Sequence, residues 1–424
     1  MSNLLITVYY DDSAQYFNSF EECLEEEDIN ITYLCHNLSA YLYLKFHSQY
    51  NCFYLYSWRT RVDYLKLRYF APNGGIELPP YLKGIIKSQR QTVEWAAEHN
   101  AIIKFYKREK TKADYAIFSG QDRLLEWSLS QHIERKVFFE QGPFNTTTLT
   151  DSGVNANLVP SRSMRKYFTK QKIDLQAYFE RSDKIKRSPL YRVVDFLNYA
   201  ICFATGCAFP SERLEFLAFS NKLKRLINLK KRIHDNSDPS KEKNILLVLQ
   251  VQFDVNNVLH TPDFNLSDIL SQLVKGSNNI ANIRVRLHPL ETTTNALKQK
   301  TAIAAENLQI SHYSLDDDLS WGDIVVTSNS TVGIEAVQKG LDVICYGESY
   351  WQSLPNVARA RNLEDISRLV NSKLQSSNAS KVERSPESLE TFLRERFVPG
   401  HFRHRNVHKR AVAGWLIHLL KGSK

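Results

Sequence analysis

Short apolar runs alternate with stretches whose apolar positions recur every three to four residues, and the series occurs twice along the chain. Strand and helix periods predict strands at 4–10, 31–34, 53–56, 115–118 and 136–140 in the first series. Helices are predicted at 13–27, around 59–69, at 121–132 and over 188–233. Residues 141–165, rich in Gly, Asn, Thr, Ser and Pro, predict a long irregular loop of the kind that carries function. Residues 234–243 are polar and aperiodic, and read as a linker. The second series predicts a strand at 244–251, a helix at 266–275, a strand at 283–287 closing on His288-Pro289 and a helix at 292–305, with Gln309 to Ser311 following. It continues into Trp321 to Gly347: a buried strand at 324–327, a polar turn of Ser328, Asn329, Ser330 and Thr331, a helix ending at Gly340, and a strand at 343–346. Such alternation builds parallel sheets covered by helices. The expectation is an α/β chain with a Rossmann-like domain at 1–235, a second at 244–385 and a basic helical tail at 386–424.

Length agrees, since 424 residues suit two domains of ordinary size, and a hydrophobic content of 43% fills two cores. The net charge of +9 points to acidic partners: nucleic acid, an anionic membrane face or anionic substrates. Much of that charge lies in 222–232 and in the tail, with no recognition motif beside it, which argues against a nucleic-acid-binding protein. The six cysteines form no C-x-x-C pair and fall mostly in apolar runs, so they read as thiols of a reducing compartment and not as a zinc site. No basic n-region opens the chain and no apolar run reaches about 18 residues, so a cytoplasmic protein is expected.

The candidate chemistry lies at strand ends. A helix N-terminus at the carboxyl edge of a parallel sheet favours an anion such as phosphate, which nominates Asn329, Ser330 and Thr331; the alternative is that Ser330 or Thr331 is only a helix cap. His288-Pro289 closes a strand of the same sheet. Gln250, Gln252 and Asp254 follow the first strand of that domain and either face the same crevice or are solvent-facing polar residues. In the first domain Glu140 and Asp151 flank the long loop, and a carboxylate there suits a base or nucleophile at an oxocarbenium-like centre. For Asp151 the alternative is an Asx-turn with Gly153. Asp316, Asp317 and Asp318 read as a solvated loop and helix start, not as a metal-binding Asp-x-Asp.

Five segments resemble, in order and spacing, the bacterial capsule polysaccharide proteins that transfer 3-deoxy-D-manno-oct-2-ulosonic acid (Kdo) from CMP-Kdo. Phe139 to Asn157 resembles their "E-x-G-(x)n-T-L-E-x-x-G-V-N" segment, with Asp151 in place of Glu and Gly153-Val154-Asn155 matching. Phe118-Ser-Gly-Gln-Asp-Arg123 resembles "W-N-G-x-R", with the tryptophan and asparagine missing and Gly120 matching. Leu249-Gln-Val-Gln-Phe-Asp254, Arg286-Leu-His-Pro289 and Asn329-Ser-Thr-Val-Gly-Ile-Glu335 complete the set. The resemblance spans about 114–350 and implies a GT-B glycosyltransferase with two Rossmann-like domains facing a central crevice. It implies CMP-Kdo in the second domain, with Gln250, Gln252, Arg286, Asn329 and Glu335 around it, His288, Ser330 and Thr331 at the phosphate, and Pro289 near the cytosine. It places a glycan or lipid-linked glycan acceptor in the first domain. No metal or other cofactor is then expected. Transfer with retention would use Asp151 as nucleophile with Glu140 activating the acceptor; with inversion Asp151 would be the base. Bacterial sialyltransferases share several of these features, so CMP-sialic acid is the alternative donor.

The tail carries Arg394, Arg396, Arg403, Arg405, Lys409, Arg410, Lys421 and Lys424 around an apolar stripe of Val412, Trp415, Leu416 and Leu419. Two placements are open: the anionic inner face of a membrane, or packing back onto the first domain.

Overall fold

The computed structural model describes residues 2–70, 78–80, 82, 86, 88–109, 113–121, 123–144, 146–160, 165, 167, 173–179, 187–216, 243–250, 255–288, 308–375, 386–401 and 409–421. The chain forms two compact units, Met1–Ser220 together with Leu393–Lys424, and Asn221–Phe392.

The first unit is built on strands β1 (Ser2–Val8), β2 (Ile29–Cys35), β3 (Asn51–Tyr54), β4 (Tyr115–Ser119), β5 (Arg135–Gln141) and β6 (Thr146–Thr150), in the order β3-β2-β1-β4-β5-β6. The first five run parallel, with Leu4 opposite Ile31 and Tyr115, and Tyr115 opposite Arg135. In β1, Leu4 to Val8 are all buried, as in a parallel strand covered on both faces. Strand β6 falls within the stretch expected to be a loop, and pairs antiparallel with β5. Its sequence Thr-Thr-Thr-Leu-Thr lacks an apolar alternation, but threonine is β-branched and fits a pleated surface. The hydroxyls are satisfied in place: Thr147 Oγ1 donates to Gly400 O at 2.8 Å and Thr148 Oγ1 to Glu140 O at 3.0 Å.

Helical boundaries differ from expectation in three places. The segment expected as one helix at 13–27 is two, Asp11–Asn18 and Glu21–Glu25. A helix not anticipated, Gln89–Arg108, starts where Ser88 Oγ accepts from Gln91 N. The helix expected from 188 is Pro189–Ala204, followed by a turn at Gly206, whose φ of 70° suits glycine. The remainder beyond 216, most of the expected linker and the helix expected at 292–305 lie outside the described residues.

The second unit holds β7 (Lys243–Val248), β8 (Ala281–Arg286), β9 (Leu308–Ile310), β10 (Ile324–Thr327), β11 (Asp342–Cys345) and β12 (Val357–Arg359). All pairs are parallel and the order is β9-β8-β7-β10-β11-β12, the doubly wound arrangement with its switch point between β7 and β10. Ile245, Leu247, Ile283, Val285, Val326 and Ile344 form the centre of its core. The covering helices Leu266–Ser277 and Leu363–Gln375 meet at Gly276, where a Cβ would stand 2.6 Å from Ser367 O.

The tail does not form a separate body. From Leu393 it belongs to the first unit, where Val398–Pro399 pairs antiparallel with β6. Val412, Trp415 and Leu416 on the helix Lys409–Lys421 are buried in the same core as Phe17, Phe20 and Phe139. This stripe covers the protein's own core, so it is not the surface that would meet a membrane. Among the described residues no helix is long and apolar enough to cross a membrane.

The acidic run also differs from expectation. Ser314 caps the helix Leu315–Trp321 by accepting from Asp317 N, but Asp318 is fully buried and paired with Arg284 and Arg286. Helical spacing turns Asp318 inward while Asp316 stays exposed.

Candidate functional site

At the switch point of the second unit, Thr327 Oγ1 donates to Val248 O at 3.0 Å, and Ser328 Oγ donates to Gln250 Oε1 at 2.8 Å. The polar residues after β7 and β10 are thereby joined across the point where the chain diverges. Asn329 is buried and donates through Nδ2 to Asn256 O at 3.1 Å, while its Oδ1 has no hydrogen-bond partner among the described residues. Ser330 Oγ accepts from Val332 N at 3.3 Å at the start of the helix Val332–Gln338, and both Ser330 and Thr331 are half-buried. The helix is seated tightly, since a Cβ on Gly333 would stand 2.3 Å from the Trp351 ring.

His288 follows the end of β8, beside β7, and is half-buried. Glu335 is half-buried on the helix after the turn. Arg286 is held by the unit's own framework: its Nη1 donates to Tyr313 O at 2.9 Å and to Asp318 Oδ2 at 2.7 Å. The fold therefore gathers Gln250, Asn329, Ser330 and Thr331 at β7 and β10, with His288 one strand away. Gln252 and Pro289 lie outside the described residues.

The first unit has a denser polar cluster at its own switch point, between β1 and β4. Gly120, at a φ of 85°, leaves the room a side chain would take: a Cβ there would stand 3.4 Å from Glu140 Oε2 and 3.9 Å from Arg123 Nε. The Arg123 guanidinium lies 4.0 Å from the centre of the Tyr9 ring, and His36 stacks against the same tyrosine. Tyr9 Oη donates to Glu126 Oε2 and Thr7 Oγ1 to Glu126 Oε1, both at 2.9 Å. Tyr10 Oη is hydrogen-bonded to Glu215. Burial opposes the charge on Arg123, but Tyr9, Glu140, Glu126 and Glu215 hold it in the charged form. Of this group sequence reasoning nominated only Glu140 and Gly120. The missed signal was Tyr9-Tyr10 at the end of the first strand, the position that a 3-2-1-4 sheet makes its switch point.

Asp151 is exposed, and among the described residues its carboxylate makes no hydrogen bond or ion pair. The Asx-turn alternative does not hold, because the turn is closed by Thr150, whose Oγ1 accepts from Gly153 N at 3.3 Å and donates to Gly153 O. The segment that follows is tied to the end of β4: Gln121 Oε1 accepts from Val154 N and Asn157 Nδ2, each at 3.2 Å. Gly153, at a φ of 142°, makes this fit, since a Cβ would stand 2.3 Å from Gln121 Oε1. Asn155 opens the short 3-10 turn Asn155–Asn157. Glu140 pairs with Thr148, three residues before Asp151, so the two carboxylates are separated along the strand by about 10 Å in register.

Burial lifts the carboxyls of Glu98 and Glu126 to about 7, against the donors Ser211 and Tyr56 at the first and the Arg123 charge at the second. An acid whose pKa is raised by folding stabilises most below its unfolded value, about 4.3, and that contribution is lost as pH rises through 7. The first unit is therefore expected to unfold at lower denaturant concentration near pH 8 than near pH 5. Glu126→Gln should flatten this dependence, and an unchanged slope in that variant would mean that Glu126 is already ionised in the fold.

Among the described residues no group of three or more His, Cys, Asp or Glu side chains is arranged to hold a metal ion, and all six cysteines are free thiols. Residues 214–382 match the family described as capsule polysaccharide biosynthesis protein. The matched stretch includes Gln250, Arg286, His288, Asn329 and Thr331. It leaves Phe118 to Arg123 and Phe139 to Asn157, in the first unit, outside the match. No curated protein matches the chain. Among solved structures, the chain is similar to a KpsC β-Kdo 2,7 transferase of Thermosulfurimonas dismutans, at 13% identity over 76% of this chain and 89% of that one, with a TM-score of 0.37. It is also similar to Anabaena HepE in complex with UDP and glucose (8%, 98% and 99%, TM-score 0.36) and to S. aureus MnaA bound to UDP (10%, 99% and 97%, TM-score 0.33).

Proposed function

We propose that the chain is a glycosyltransferase of capsule polysaccharide synthesis that moves Kdo from CMP-Kdo to a glycan or lipid-linked glycan acceptor. The observation that carries this reading is the joined polar set at the switch point of the capsule polysaccharide biosynthesis domain, with Ser328 bonded to Gln250 and Ser330 and Thr331 at the following helix. In an open parallel sheet this edge is where nucleotides bind. Ser330, Thr331 and His288, at the positive end of the helix that follows, would neutralise the phosphate of the departing CMP, so no metal is required. In the first unit, the exposed Asp151 carboxylate supplies the nucleophile, and Glu140, beside Arg123, activates the acceptor.

Calorimetry with CMP, UDP and GDP tests the donor class, and tighter binding of UDP or GDP than of CMP would overturn it. His288→Ala should weaken CMP binding by roughly ten- to a hundredfold, the scale of a hydrogen bond to a charged group, without lowering stability. Equal CMP affinity in that variant would remove His288 from the phosphate site. Transfer assays with CMP-Kdo and CMP-sialic acid in parallel identify the sugar, and retention of activity in EDTA is expected.

A further inference from the structure

The helix Pro189–Ala204 is amphipathic in the reverse of the usual sense. Its buried side chains include Asp195 and Tyr199, whereas Leu190, Val193, Leu197 and Ile201, spaced to form one stripe, are 69%, 52%, 52% and 62% exposed. Polar anchors fix this orientation. Asp195 accepts from Ser39 N at 2.9 Å and from Arg187 Nη2 at 2.5 Å, and Tyr199 Oη donates to Asn37 Oδ1 at 2.7 Å. Rolling the helix to hide the stripe would break all three. Exposed Phe196 and Phe203 extend the apolar surface to one side, where both stack on Phe216.

Among the described residues, the exposed charge on this helix and the two beside it has one sign. Arg192 is exposed on the same helix, and Lys45 and Phe46 are exposed on Leu38–His47, which packs alongside through Tyr43 and Tyr191. The helix Trp58–Phe70, in contact through Leu65, adds exposed Trp58, Arg59 and Lys66. Of the two acids on these three helices, Asp195 is buried as above and Asp63 is buried against Lys104 and Arg108. Among the described residues of these three helices the surface is thus apolar and aromatic with cations and no exposed carboxylate.

We propose that this face of the first unit, centred on Leu190, Leu197 and Ile201, docks on an anionic lipid bilayer. Apolar and aromatic side chains among cations suit the boundary of headgroups and acyl chains. Patches of this kind on a soluble surface mark interaction sites. A second copy of the chain fits less well, because a twofold interface sets the same patch against itself and opposes like charges. The proposal stands apart from the choice of donor or reaction.

The test is co-sedimentation of the full chain with vesicles of phosphatidylcholine alone or with added phosphatidylglycerol, at low and high salt. Binding is expected only with the anionic lipid, and it should fall with salt. Leu197→Glu with Ile201→Glu should reduce the bound fraction at least about tenfold, since two exposed apolar anchors are lost, with unchanged circular dichroism and thermal midpoint. Should that double variant misfold, Lys45→Glu with Arg192→Glu gives the same reading through weaker binding. Wild-type protein that stays in the supernatant, or folded variants that bind as wild type does, would overturn the proposal. So would a wild-type dimer in sedimentation velocity that the double variant splits without any lipid binding.

Discussion

Asp151→Asn is expected to keep the fold and CMP affinity while losing transfer by at least about two orders of magnitude. The structure makes this substitution clean, because the carboxylate makes no hydrogen bond or ion pair among the described residues and Thr150 closes the turn in its place. Among the described residues nothing rests on the charge at position 151, so loss of activity would report chemistry. If Asp151 is the nucleophile, enzyme incubated with CMP-Kdo alone should gain the mass of one Kdo by forming an ester at this carboxylate as CMP leaves, and Asp151→Asn should gain none. Glu140→Gln separates the roles, since loss of a group that activates the acceptor leaves the adduct in place and slows only its transfer. Near-normal turnover in Asp151→Asn would exclude it from the mechanism.

Asp318→Ala is expected to destabilise the second unit by about 3 to 5 kcal/mol, the usual consequence of removing one partner from a buried ion pair. The carboxylate is fully buried, accepting from Arg284 Nη1 at 3.2 Å, Arg286 Nη1 at 2.7 Å and Ser311 Oγ at 2.5 Å. Arg284 is itself 4% exposed, with its guanidinium 3.8 Å from the Trp321 ring and 4.5 Å from that of Tyr313. Without Asp318 that buried cation loses the carboxylate it meets at 3.2 Å. Denaturant unfolding measures the loss, and a cost under about 1 kcal/mol would mean that the rings and remaining contacts suffice for Arg284. Replacing Arg284 by methionine and Asp318 by leucine together should recover part of the stability, because the most deeply buried cation leaves with its carboxylate, and Arg286, the other partner of Asp318, is 20% exposed. Arg286 ends the strand that leads to His288, so CMP affinity should fall in Asp318→Ala as well.

What the sequence disclosed follows from how each feature is encoded. The β10 unit was legible almost to the residue, since Ile324 to Thr327 is an unbroken buried run and Gly340, at a φ of 84°, ends the helix in the left-handed region glycine favours. Strand β6 was not legible, because its threonines owe their place to pairing with β5 and to acceptors supplied by Glu140 and Gly400, far apart in sequence. Asp318 was misread for a similar reason, as an acidic triplet looks solvated until the partners of its third member, Arg284 and Arg286, are brought beside it. In the second unit the candidate residues were found through local turn chemistry. In the first, Tyr9, Arg123 and Glu126 meet only once β1 and β4 are neighbours, so no spacing along the chain announces them.

The return of the tail to the first unit sets an order on synthesis. Domains commonly fold as they leave the ribosome, N-terminal first, but here the core around Phe17, Phe20 and Phe139 is closed by Val412, Trp415 and Leu416, and the free edge of β6 by Val398–Pro399. The 172 residues of the second unit, Asn221–Phe392, emerge between the two pieces of the first. The second unit can finish while the first still waits, exposing an apolar slot and an unpaired strand edge to whatever is nearby.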